Sequence, residues 1–358
     1  MPALDLFADA AELTRAICDV ETVSDHEGPL ADAIESAARA LPHLVVRRYG
    51  DTVVARTETG RPTRVVIAGH LDTVPLNGNL PTRLETHHGE AVLVGRGTVD
   101  MKAGVAVQLK LAAEIADPVT DVTWIWYDHE EVGEDLNGLN RLLQAHPEEL
   151  AADFAILGEP TAAGIEGGCN GNLRAEVRTT GRRAHSARGW VGVNAIHLAA
   201  PILDRLAAYE PRSVDVDGLV YREGLNAVTI TGGVAGNVIP DECVVQVNHR
   251  FAPSRTAEEA VAHVREVFEG FDVRIVDLAA GARPGLDLPA ARAFVDAVGA
   301  EPRPKYGWTD VARFAALGVP AVNYGPGDPL LAHADDERVP VSQIRAVEAG
   351  LRAWLTGA

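Results

Sequence analysis

Five short stretches of this chain carry groups able to do acid–base or metal chemistry; three directly follow an apolar run and a fourth precedes one. Val65-Val66-Ile67-Ala68 leads into Gly69, His70 and Asp72. Residues two apart in extended chain point to the same side, so His70 and Asp72 share a neighbourhood at the strand end. A metal-bound His usually donates its other ring N–H to an acceptor such as a carboxylate, which fixes the tautomer. Asp100 closes Gly95–Lys102 (GRGTVDMK), ahead of a long apolar segment. Glu130 and Glu131 follow Val122–Tyr127, Glu159 follows Phe154–Leu157, and His333 comes late in the chain. A carboxylate beside buried apolar chain is costly without a partner. Imidazole and carboxylate donors in this mixture suit zinc, and their number suits two ions.

These groups need a scaffold that gathers strand ends. Val65–Ala68, Val122–Tyr127 and Asp153–Leu157 read as strands buried on both faces, as in a parallel sheet. Open α/β sheets bind ligands beyond the carboxyl ends of their strands. Around this sheet the periodicity predicts a helix through Leu6, Ala10, Leu13 and Ile17. A second helix runs through Leu30, Ile34, Ala37 and Leu41, a buried one over Met101–Ile115, and a closing one over Ile344–Leu355. Strands at Val45–Val46 and Thr52–Ala55 flank a Gly50-Asp51 turn, and Val319–Tyr324 is a late strand. Residues 76–94 read as an irregular excursion with a short hairpin, carrying His87 and His88 as solvated loop residues.

From about residue 173 the pattern changes. Leu173, Ala175, Val177 and Thr179 alternate with polar residues, as in a half-exposed strand. A helix over Val193–Ala208 follows, with Pro201 as a kink or true start. Then come strands at Ala227–Thr231 and Cys243–Phe251, a helix opened by the capping box Thr256-Ala257-Glu258-Glu259, and a strand at Val273–Leu278. That order is the split βαβ plan. The expected organisation is α/β with two domains. Residues 1–175 and 286–358 form a mixed, mainly parallel sheet with flanking helices. Residues 176–285 form an inserted ferredoxin-like α+β domain, with Gly281–Gly285 as the return linker.

Composition narrows the function. Apolar residues make up 47% of 358, enough for a large core. The net charge of −19 argues against a nucleic-acid partner. No apolar run reaches 18 residues, so no membrane span is expected. The acidic start, Met1–Leu13, lacks the basic region of a signal peptide, and three cysteines (Cys18, Cys169, Cys243) fit a reducing cytoplasm. Two other chemistries are suggested by single residues. His129 with Glu130 suggests H-E-x-x-H, but residue 133 is Gly and the helical zinc motif fails, leaving His129 as a packed or supporting residue. Cys169 as a nucleophile lacks a His–acid pair in sequence and reads as a small residue in a tight turn.

Taken in order, GHLDTVP, GRGTVDMK, the Glu130-Glu131 pair, GEPT and the final His resemble the two-zinc aminoacylase and carboxypeptidase family of amidohydrolases. Within it, Cys169–Arg174, Arg182–Trp190, Gly236–Pro240, Asn248–Pro253, Lys305–Phe314 and Asn323–Pro329 resemble the desuccinylase branch. The resemblance implies a zinc-peptidase-like catalytic domain and an inserted lid that makes a homodimer. It implies two Zn2+ per subunit, replaceable by Co2+, held by His70 and Glu159 on one side and Glu131 and His333 on the other. Asp100 would bridge them, although a carboxylate there could equally be a plain helix cap, and a cis peptide would follow it. Asp72 would orient His70, and Glu130 would be the general base. His185 would reach the partner's site, and Asn237, Arg250, Gly307, Thr309 and Arg313 would bind substrate. The implied reaction is hydrolysis of N-succinyl-LL-2,6-diaminopimelate; an acetylornithine deacetylase, a dipeptidase and a non-catalytic binder are the alternatives. Other desuccinylases carry Arg-Arg-Gly-Ser where this chain has Gly168–Gly171, and Arg182, Arg183 and Arg188 are candidates to compensate.

Overall fold

A computed structural model describes residues 4–357, so the first three residues of the acidic N-terminal stretch lie outside it. The chain divides into two compact units. The first comprises residues 1–167, 284–303 and 313–358; the second comprises 168–283 and 304–312. This differs from the expected boundary in two ways. Gly171–Thr180 is one continuous strand of the second unit, so a cut at 175 would sever its hydrogen-bonded ladder. The segment 304–312 also joins the second unit, a return visit that no composition shift marks.

The first unit is built on an eight-stranded sheet. Its order is Val45–Tyr49, Thr52–Arg56, Asp121–Tyr127, Arg64–His70, Phe154–Leu157, Ala321–Asn323, then the two-residue strands Glu166–Gly167 and Arg303–Pro304. The four central strands run parallel, and Asp121–Tyr127 and Phe154–Leu157 are buried throughout. Lys102–Glu114 packs on Arg64–His70 and is itself covered by Ala10–Cys18 and Val341–Thr356. Enclosed this way, it buries every residue but Glu114, which explains its Ala, Val and Leu content without an amphipathic stripe. The first helix starts at Ala10 rather than near Leu6, because the Asp9 side chain accepts the Ala11 N–H at 2.9 Å and caps it there. A helix at Pro289–Val298 is not among the expected elements; its Phe294 ring meets Phe154 at a tilt and Trp354 edge-on, with centroids 5.6 and 5.0 Å away. Residues 83–94 form the expected hairpin, with His88 in the turn. No helix among the described residues is long and apolar enough to cross a membrane.

The second unit is a four-stranded antiparallel sheet in the order Gly224–Gly232, Glu242–Phe251, Gly171–Thr180, Asp272–Ala279. With strands numbered along the chain this is 2-3-1-4, the split βαβ arrangement. The predicted helix over Val193–Ala208 is in fact two, Ala195–Leu198 and Ala200–Ala207, with Pro201 in the first turn of the second. A hairpin of Ser213–Val216 and Leu219–Arg222 was not anticipated, although its Asp217-Gly218 turn is a recognisable signal. Gly224–Gly232 is an edge strand with seven consecutive exposed residues.

His249 marks the core of this unit. Its ring is fully buried, 5.2 Å from His263 and 5.6 Å from Phe251. One ring nitrogen, Nδ1, lies 3.1 Å from the Gly224 carbonyl, and Nε2 meets no partner among the described residues. Burial pulls its pKa from 6.5 down to about 4. The unfolded chain then binds more protons than the folded one between those values, so His249 favours folding fully above pH 6.5. That contribution should be lost as pH falls toward 4, amounting to about 3 kcal/mol in all. Thermal unfolding from pH 7.5 to 4.5 should show a steeper fall in Tm for the wild type than for His249→Gln; parallel curves would contradict this.

Candidate functional site

The parallel strands deliver their acidic and imidazole groups to one end. His70 terminates Arg64–His70, Glu130 and Glu131 come just after Asp121–Tyr127, and Glu159 comes just after Phe154–Leu157. The Ala68–Leu157 pairing continues into a bond from the Gly158 N–H to the Ala68 carbonyl at 3.0 Å, so the register carries Glu159 alongside His70. The backbone at Gly158 is held tightly. A Cβ on Gly104 or on Gly325 would lie 2.3 or 2.1 Å from the Gly158 carbonyl oxygen, so only glycine fits at either point.

His70, Asp100 and Glu131 come together closely enough for one cation, each offering an atom within 4.8 Å of the others. His70 Nε2 is 3.1 Å from Asp100 Oδ1. Across the same carboxylate, His333 Nε2 lies 3.0 Å from Asp100 Oδ2 and 3.1 Å from Glu131. Asp100 therefore stands between two imidazoles. It does not cap the following helix, whose N-cap is Met101, so the simple capping alternative fails. The Asp100–Met101 peptide is cis.

Electrostatics show what this arrangement needs. With only protein charges present, Asp100 and Glu131 hold the His333 imidazolium up to about 10. Burial opposes charge on His70, yet Asp100 and Asp72 more than offset it and raise its pKa. His70 Nδ1 lies 3.1 Å from the Asp72 carbonyl, a natural acceptor for its proton. Nε2 is then the nitrogen that meets the Asp100 carboxylate at hydrogen-bond distance. Two imidazoles held to one carboxylate by protons at Nε2 could exchange those protons for a divalent cation, which takes imidazole and carboxylate together. The donor set is therefore compatible with a metal.

Asp72 does more than face His70. Its carboxylate is 3.5 Å from His70 Nδ1, farther than its own carbonyl. The two carboxylate oxygens instead accept the N–H groups of Glu130 and Glu131 at 2.9 and 3.0 Å, and Ser24 Oγ donates to one of them at 2.8 Å. Burial would raise this carboxyl, but His70 and the two amides outweigh burial and bring its pKa down to about 2. Another support had no sequence signal. Glu337 is fully buried, accepts the Val99 and Asp100 N–H groups at 2.8 and 3.0 Å, and pairs with Arg96 at 2.9 Å. It holds the loop that presents Asp100. It lies in the polar stretch Ala334–Arg338, which carries neither periodicity nor motif.

The remaining site candidates are placed as follows. In the second unit, His185 and Asn237 are brought together: His185 pairs with Val238, and the Ser186 N–H donates to the Asn237 carbonyl at 2.9 Å. Both are exposed. Arg250 donates to Asn248 at 3.2 Å, Gly307 is exposed, and Thr309 is buried, its carbonyl near Cys169 Sγ. Arg182 and Arg183 are engaged locally, by the Val191 carbonyl and by Asp241. Arg313 belongs to the first unit and is buried against Glu134 at 3.2 Å. Cys169 is fully buried, and burial pushes its thiol up to about 11, far from the range of a reactive thiolate.

Comparison with known proteins gives the chain its family. Residues 66–356 match the profile of "Peptidase family M20/M25/M40". The chain belongs to this peptidase family. It is 55% identical, over 99% of its length and all of the relative's, to a Mycobacterium tuberculosis protein named "Putative succinyl-diaminopimelate desuccinylase DapE". It is 48% identical to a succinyl-diaminopimelate desuccinylase of Corynebacterium glutamicum, covering 99% and 98% of the two chains. Among solved structures, a Staphylococcus aureus tripeptidase superposes with a TM-score of 0.79 at 19% identity, covering 97% of each chain. A Bacillus subtilis protein described as a dinuclear metal binding peptidase of the M20 family gives 0.68 at 16%, covering 98% and 97%. This peptidase-family member is thus a hydrolase by kinship with full-length relatives, and its fold is that of the family.

Proposed function

We propose that the chain hydrolyses N-succinyl-LL-2,6-diaminopimelate to succinate and LL-2,6-diaminopimelate, in diaminopimelate and lysine synthesis. The observation that carries this reading is the convergence of His70, Asp100, Glu131 and His333 at the strand ends, in a chain matched end to end by desuccinylases. In this reading His70 and Glu159 would hold one zinc, Glu131 and His333 would hold a second, and Asp100 would serve both; cobalt would be an alternative to zinc. Such a metal pair, when bound, polarises the scissile carbonyl and acidifies water. Glu130 is the general base. Its carboxylate takes a proton from the attacking water and returns it to the leaving amine nitrogen. Asp72 sets the direction of that carboxylate through the two amides it accepts.

His185 is assigned to the partner's site. Its Nδ1 accepts the Ala187 N–H at 3.0 Å, which leaves the proton of the neutral ring on Nε2, an outward-facing donor suited to a developing oxyanion. Homodimerisation through the second unit is supported by the open edge strand with exposed Val228 and Ile230, and by exposed Ile196 and Leu203 on the adjacent helices. Asn237, Arg250, Gly307, Thr309 and Arg313 are assigned to substrate binding, where Arg forks suit carboxylates. Three unpaired cysteines fit a cytoplasmic site of action.

The test is turnover by zinc-loaded protein of succinyl-diaminopimelate beside N-acetylornithine and a dipeptide panel. The expected result is a kcat/KM for the succinylated substrate at least about 100-fold above the others, a margin of roughly 2.7 kcal/mol. Preference for acetylornithine or a dipeptide would overturn the substrate, and hydrolysis of none would favour a binding protein.

A further inference from the structure

The chain leaving Asp121–Tyr127 has to turn so that two successive amides, those of Glu130 and Glu131, reach one carboxylate on Asp72. It does so through His129, whose φ of 59° lies in the left-handed region that side-chain-bearing residues seldom occupy. Such a conformation persists where surrounding contacts over-determine it, and here they do. The His129 N–H donates to Glu27 Oε1 at 3.1 Å. Its ring lies 2.6 Å from Asp128 Oδ2 through Nδ1 and 2.9 Å from Asp25 Oδ1 through Nε2. Asp128 is buried and fixed in turn by Thr52 Oγ1 at 2.6 Å and Arg141 at 2.7 Å.

Asp25 and Glu27 belong to a segment that also grips the other side of the site. Within it, Thr22 Oγ1 donates to the Leu71 carbonyl at 2.6 Å and Ser24 Oγ to Asp72 at 2.8 Å. Residues 22–27 therefore hold the His70–Asp72 turn with one set of groups and the His129 turn with another. Glu27 is fully buried, so this segment is anchored from within rather than lying loosely on the surface.

We propose that His129 is a positioning residue for catalysis. By bridging Asp25 and Asp128 it locks the left-handed turn that aims the Glu130 carboxylate, and the 22–27 segment is the abutment it bears on. This rests on the reading of Glu130 as general base. A base displaced by about 1 Å can lose on the order of 100-fold in rate without loss of substrate binding.

The experiment compares metal-loaded wild type, His129→Ala, Asp25→Asn and the double variant on succinyl-diaminopimelate, with metal content and Tm measured on each. His129→Ala should lower kcat by about 10- to 100-fold, with KM and metal content unaltered. A crystal structure of that variant should show residue 129 out of the left-handed region and the Glu130 carboxylate displaced. Asp25→Asn should lower kcat more modestly, and the double variant should be no worse than His129→Ala, because Asp25 acts through His129. A kcat within about twofold of wild type, a loss that tracks metal content, or independent multiplying effects would each overturn the proposal. If His129→Ala does not fold, Asp25→Asn decides alone, since that side chain is exposed; an unchanged kcat rejects the proposal. Should the wild type itself not turn over succinyl-diaminopimelate, the substrate assignment fails separately. The same comparison is then made on whichever N-acyl substrate the wild type hydrolyses.

Discussion

Glu130→Gln should retain less than about a thousandth of wild-type turnover, the upper part of the range for loss of general acid–base catalysis, while binding its full complement of metal. The two adjacent carboxylates are assigned different tasks. Glu131 faces His333 at 3.1 Å and shares the cluster with His70 and Asp100. The Glu130 main chain is fixed by Asp72, which accepts its N–H at 2.9 Å. Glutamine has the shape of glutamate and keeps the same backbone bond, but it cannot take a proton from water. Metal content measured beside kcat distinguishes this from the neighbouring change: Glu131→Gln should lose metal first and activity as a consequence. A Glu130→Gln variant working at even a tenth of the wild-type rate would remove Glu130 from the role of base.

The second large effect is a recovery. His185→Ala should cost roughly 100- to 1,000-fold in rate, as loss of an oxyanion donor commonly does, and mixing it with Glu130→Gln should restore activity. If each reaction uses Glu130 from one subunit and His185 from its partner, a mixed dimer carries one site with both groups intact. Random exchange at equal proportions makes half the dimers mixed, each with one working site in two. About a quarter of wild-type activity should therefore return. No recovery, despite subunit exchange demonstrated by mass or fluorescence, would mean that His185 acts within its own chain or not at all.

Much of this was legible because the chemistry sits where buried strands stop. The run before His70, the aromatic run before Glu130 and the short run before Glu159 announce both the strand and the end of it. In the second unit, alternation at Leu173–Thr179 and the capping box at Thr256 place a strand and a helix without further help. What stayed hidden acts across the fold rather than along it. Glu337, Ser24, Asp25 and Glu27 support the site from loops with no period, and their partners are distant in sequence. The helix at Pro289–Val298 and the visit of 304–312 to the second unit follow the same rule, being set by tertiary neighbours. The hairpin around Asp217-Gly218 is different: its turn was readable, but four-residue strands are too short for alternation to stand out.

The strand order has a consequence for how the protein is made. Ala321–Asn323 lies in the sheet beside Phe154–Leu157, whose four residues are all buried in the finished molecule. On the ribosome that neighbour does not exist until the entire second unit has been synthesised. Through that interval Phe154–Leu157 presents an apolar edge with unpaired amides and carbonyls, the kind of surface that recruits other nascent chains. The second unit, by contrast, completes its four-stranded sheet from one uninterrupted stretch and can form as it emerges. His333 comes later still, so the proposed ligand set closes only after the sheet has gained Ala321–Asn323. A chain cut between Leu157 and Ala321 would expose a sticky sheet edge and lack His333 as well, which makes premature termination there a hazard of aggregation as much as of lost activity.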